Sequence, residues 1–123
     1  KDDKPIAKDD AVSGLLGGTY EEKRTEALAA SPVTYVTNDD PPFITFHGTA
    51  DKRVAFLHAE TIHAALKQAG VPSLLVPITD GGHGSVGHPE VIARAKIFIG
   101  NTLRGEDTPV DVTPIPALPE KKK

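Results

Sequence analysis

Pro41-Pro42-Phe43-Ile44-Thr45-Phe46-His47-Gly48-Thr49-Ala50-Asp51 opens on two prolines, continues as a short apolar, β-favouring run and stops at a glycine, with a carboxylate just beyond. About thirty residues on the pattern returns. Ser73-Leu74-Leu75-Val76-Pro77-Ile78 runs into Asp80-Gly81-Gly82-His83-Gly84, a glycine-rich loop that presents an imidazole. Between the two lies Leu57 to Ala69, in which Leu57, Ile62, Ala65, Leu66 and Ala69 fall near one face at helical spacing, with Gly70 as the stop. Strand, helix and strand at this spacing predict a βαβ crossover with parallel strands.

In parallel sheets, functional side chains gather on the loops beyond the carboxyl ends of the strands. Asp51 and His83 both fall there, and a carboxylate beside an imidazole makes two of the three parts of a nucleophilic triad. The third part is harder to place. The four serines are Ser13, Ser31, Ser73 and Ser85, and none has a glycine two residues away on both sides. Ser85, in His83-Gly84-Ser85-Val86-Gly87, comes nearest and is the candidate nucleophile, because residues two apart in an extended loop project to one side.

The other histidines read as structural. His47 closes a strand and is expected to pack and hydrogen-bond. His58 and His63 are five apart on a helix, so they miss the i, i+4 spacing that zinc sites favour. His88 with Asp80 and His83 has no metal-site spacing, and no metal or cofactor is expected.

Around this centre the chain reads as follows. Residues 1–18 form a polar, then glycine-rich N-terminal segment with one short helical turn at most. Thr19 is a candidate cap for a peripheral helix that runs to about Ala30 and stops at Ser31-Pro32. Val33 to Thr37 is expected to be extended. Pro89-Glu90 opens a last helix, with Val91, Ile92, Ala95, Ile97, Phe98, Ile99 and Leu103 as its apolar side. Residues 19–104 are thus the expected folded subdomain. Residues 105–123, punctuated by prolines and ending in three lysines, are an expected tail, extended and largely disordered or only loosely packed.

The 123 residues carry a net charge of −3, with the basic residues scattered. No basic stripe with interleaved aromatics points to nucleic acid. No apolar run approaches the roughly 20 residues that span a bilayer. Cysteine is absent, so the chain has no disulfide, and with no methionine present Lys1 is expected to be a processed end, a cut or the edge of a larger chain. Two strands of the buried type need neighbours on their edges and cover on both faces. The expectation is therefore a missing partner: an N-terminal half or a homo-oligomer.

Ala30-Ser31-Pro32-Val33-Thr34-Tyr35-Val36, Asp39-Asp40-Pro41-Pro42-Phe43, His47-Gly48-Thr49-Ala50-Asp51 and Gly82-His83-Gly84 together resemble the C-terminal part of α/β-hydrolase esterases, in the carboxylesterase and acetyl-esterase branch. The resemblance covers about residues 13 to 104. It implies a truncated α/β-hydrolase-like fold, a short βαβα parallel sheet with flanking helices. It also implies an ester hydrolase acting on small-molecule esters, with Asp51 as the catalytic acid and His83 as the base. Enzymes of this branch are often secreted in bacteria, so the resemblance alone suggests a secreted or periplasmic compartment, which the residues themselves do not specify. The chain reads Lys52-Arg53-Val54-Ala55 where the family has a Val-Pro pair after the acid, and the Gly-x-Ser-x-Gly elbow and the His-Gly-Gly stretch are absent. The alternative is a catalytically inactive hydrolase remnant that self-associates or binds a partner.

Overall fold

The computed structural model describes residues 11–119. Contacts divide the chain after Tyr35 into two compact units.

In the first unit, helix α1 spans Ala11–Leu16 and helix α2 spans Arg24–Ala29. Thr19 caps as its sequence context predicts. Its N–H donates to Glu22 Oε2 at 2.9 Å while the Glu22 N–H donates back to Thr19 Oγ1 at 3.3 Å, a reciprocal capping box. Regular helix nevertheless begins only at Arg24. The segment expected to be extended is instead a 3-10 turn over Pro32–Tyr35. Side chains override β-propensity there: the Thr34 hydroxyl donates to the Leu28 carbonyl at 2.7 Å and the Tyr35 hydroxyl to that of Ala29 at 2.6 Å.

The second unit is built on the crossover. Strand β1 (Phe43–Gly48), helix α3 (Leu57–Gln68) and strand β2 (Ser73–Thr79) follow in order, with β1 and β2 parallel and Phe43 opposite Ser73 through Gly48 opposite Ile78. Gly70 takes φ +82, the left-handed stop that a side chain resists. The His63 ring bonds to the Ser73 hydroxyl at 2.8 Å and ties α3 to the start of β2. The buried face of α3 is centred on Ala59 and Leu66, while Leu57 turns outward at 66 % exposure, contrary to its expected place on the apolar face.

Helix α4 (Pro89–Arg104) opens with proline at its first turn, as expected, and ends at Gly105 in the left-handed conformation. Its Val91 is buried, whereas Ile92, Ile99 and Leu103 are exposed, so the apolar stripe is narrower than the sequence pattern indicates.

The segment beyond Gly105 departs most from expectation. Rather than a loose tail, it supplies a third strand, β3 (Ile115–Pro116), parallel to β2 and opposite Ile78 and Thr79. The sheet order is β1-β2-β3. Ile115 is 1 % exposed and joins Val76, Ile78 and Val91 in the core. Buried Arg94 on α4 holds the approach to β3: its Nη1 donates to the Thr113 carbonyl at 2.6 Å and to the Asp111 carbonyl at 3.1 Å. Asn101 pairs both ways with the Thr108 backbone, at 2.7 and 3.1 Å. Among the described residues no helix is long and apolar enough to cross a membrane.

Candidate active site

The tips of β1 and β2 are joined by backbone. The Thr49 N–H donates to the Ile78 carbonyl and the Ala50 N–H to the Gly81 carbonyl, each at 3.0 Å. The Asp80 N–H donates to Thr49 Oγ1 at 2.9 Å. Gly48 is where the two loops press together. A Cβ there would lie 2.6 Å from the Gly81 carbonyl carbon and 2.7 Å from the Gly82 oxygen, so no larger residue fits.

This stitching brings Asp51 and His83 together. His83 Nδ1 lies 3.0 Å from Asp51 Oδ2. The other carboxylate oxygen, Oδ1, accepts the N–H groups of Arg53 and Val54, both at 2.9 Å. The Asp51 side chain is 5 % exposed and the His83 ring is 53 % exposed. The Val54 N–H does most to hold the Asp51 carboxyl down, at about 2 against an ordinary 3.8; burial pushes the other way, and His83 and the Arg53 N–H add to the lowering. An ionised carboxylate only accepts, so the neutral His83 ring carries its proton on Nδ1. Its Nε2 is then a free lone pair, with no hydrogen bond among the described residues. An oriented imidazole of this kind can take a proton from a hydroxyl placed at Nε2.

Ser85 is not brought to that nitrogen. Its hydroxyl donates to the Gly82 carbonyl at 2.7 Å, inside a short 3-10 turn over Ser85–Gly87, and packs against Gly81. It lines a different hollow, shared with Ala117 and Leu118, and not the depression of about 270 Å³ where Asp51, His83 and Val86 meet. The turn curls the loop, so the same-side projection of an extended chain does not apply.

His47 is the residue whose place the sequence understated. It does pack, edge-on to Phe56 with ring centroids 5.8 Å apart. It also puts Nε2 2.8 Å from the Val54 carbonyl and 3.5 Å from Asp51 Oδ2. His88 is a helix cap, its Nδ1 accepting the Glu90 N–H at 3.0 Å. Among the described residues no group of three or more His, Cys, Asp or Glu side chains is placed to hold a metal ion.

Comparison with known proteins follows the same line. The chain is 39 % identical over 46 residues to Esterase LipQ of Mycobacterium tuberculosis, a match covering 37 % of this chain and 11 % of that protein. It superposes on Thermogutta terrifontis esterase 2 phosphonylated by sarin with a TM-score of 0.59 at 31 % identity, covering 82 % of this chain and 37 % of that one. A truncated form of a carbohydrate esterase from gut microbiota shares the fold, with a TM-score of 0.61 at 24 % identity over 65 % of this chain and 30 % of that one. The chain thus spans 11 % of the curated relative and between 13 % and 38 % of the solved chains it matches, and its fold is that of part of an α/β-hydrolase. The BD-FAE family model matches residues 1–66, more than half of the sequence, and the chain therefore belongs to the BD-FAE family.

Proposed function

We propose that this chain is the acid–base portion of a serine-type carboxylic-ester hydrolase, with His83 as general base and Asp51 as the group that orients it. The observation that carries this is the 3.0 Å contact between His83 Nδ1 and a nearly buried carboxylate, with Nε2 left open. The esterases among its relatives support the reaction class. In the proposed cycle Nε2 takes the serine proton as the oxygen attacks the ester carbonyl. It then gives that proton to the departing alcohol, and repeats the exchange with water to release the acid. Because the Ser85 hydroxyl is committed to the Gly82 carbonyl, we assign the nucleophile to a serine of the larger esterase that these 123 residues do not include.

The test is turnover of a short p-nitrophenyl ester by the intact protein, beside His83→Ala, Asp51→Asn and Ser85→Ala. The first two variants are expected to lose roughly 10³–10⁴-fold in kcat, and the third to stay near wild type. Equal rates in all four would overturn the proposal. Mass-spectrometric mapping of an organophosphate adduct, the modification carried by the Thermogutta esterase, locates the serine. An adduct on Ser85 would return the nucleophile to this loop.

A second reading has its own observation. Strand β1 lies at an edge of the sheet, and Phe43 at its start is 43 % exposed. An unpaired edge of this kind is a template for another strand. We propose that a further segment of the same protein, or a second copy, completes it. A monodisperse monomer by light scattering, with cooperative unfolding, would exclude the second copy.

A further inference from the structure

We propose that His47 is a positioning residue that clamps the loop carrying Asp51, an inference that rests on the acid–base reading above. A backbone carbonyl only accepts, so the 2.8 Å contact to Val54 fixes the proton of the His47 ring on Nε2. Val54 is then held at both of its polar groups, its N–H by Asp51 Oδ1 at 2.9 Å and its carbonyl by His47. Residues 52–55 are otherwise exposed. Among the described residues, the hydrogen bonds that draw them back onto the end of β1 are those from Arg53 and Val54 to Asp51 and the one from His47.

The same Nε2 stands 3.5 Å from Asp51 Oδ2, the oxygen that accepts from His83. Its N–H edge therefore faces the oxygen on which the base depends, and limits the rotation by which the carboxylate would turn away. The ring itself is fixed by its place one residue before Gly48, by Phe56 on its edge and by 15 % side-chain exposure. Outer partners of this sort set the orientation of the group that does the chemistry, and an ångström of misplacement there is costly.

The experiment is ring-nitrogen NMR on the chain as it stands, in the wild type and as His47→Gln and His47→Asn. In the wild type, His47 is expected as the Nε2–H tautomer and His83 as Nδ1–H, with the proton of the latter shifted downfield by Asp51. Glutamine places an amide N–H where the ring Nε2–H was, and should keep the His83 resonance. Asparagine is too short to reach the Val54 carbonyl, so the resonance should broaden and be lost through exchange with water. A wild-type His47 protonated on Nδ1 would overturn the proposal, whatever the variants do. So would an unchanged His83 signal in folded His47→Asn. Failure of the acid–base reading shows elsewhere, as undiminished ester turnover by His83→Ala, and leaves these resonances as they are.

Discussion

Asp51 is the residue on which the site turns, and its ionisation has a thermodynamic consequence. Its carboxyl is held at about 2 in the folded chain against an ordinary 3.8, so the native state binds fewer protons than the unfolded chain between those values. Stability contributed by Asp51 is therefore complete above about pH 4 and is lost as pH falls through about 2. Urea unfolding of the wild type should weaken across that acid window more steeply than that of Asp51→Asn. The same substitution acts differently near neutral pH. The asparagine oxygen can still accept from Arg53 and Val54, but its amide N–H₂ then meets Nδ1 of His83. That pushes the ring proton to Nε2 and closes the lone pair on which the proposed base depends, a tautomer change that ring-nitrogen NMR would register directly. Because Asp51 stays ionised at any pH above about 4, the acid limb of the rate profile is expected to report groups other than this carboxylate.

Between β1 and β2 the controlling feature is the close approach at Gly48. Gly48→Ala must move the Gly81 carbonyl, a strain of roughly 1–3 kcal/mol by analogy with overpacked cores. Both loops start from that contact, so the variant should also lengthen the Asp51–His83 hydrogen bond. Urea unfolding and the His83 ring-proton resonance check the two effects separately. The crossover was legible in the residues because its signals are local: two apolar runs, prolines and glycines at their ends, and one helical period between. The partnership of Asp51 and His83 was legible for the same reason, since each sits just past a strand that can be found without knowing the rest. Ser85 was misplaced because a 3-10 turn, closed by its own hydroxyl, replaced the extended loop on which its reach depended. The clamp by His47 was hidden too, because it joins a side chain to a carbonyl seven residues on and exists only once that loop has its shape.

On the scale of the second compact unit, the core draws on a strand that no local pattern announces. Strand β3 is two residues long and contains a proline, and its one buried apolar side chain, Ile115, is flanked by Pro114 and Pro116. What orders it is distant. Arg94 reaches from α4 to the carbonyls of Asp111 and Thr113, a pairing of residues 17 and 19 apart. Ile115→Ala is expected to cost about 2–4 kcal/mol, read from urea unfolding, because the cavity opens against Val76 and Ile78. Arg94→Met leaves two carbonyls without their donor, at roughly 1–3 kcal/mol. It should also speed hydrogen exchange at the Ala117 N–H, which bonds to the Thr79 carbonyl at 3.0 Å.

The three links that join the strand tips, from Thr49 to Ile78, from Ala50 to Gly81 and from Asp80 to Thr49, tie the two loops to one another. A fluctuation that exposes the Ala50 amide to deuterium is expected to expose that of Asp80 as well, so the two amides should show one shared protection factor. The contact between Asp51 and His83 is then lost, and regained, in a single breathing step.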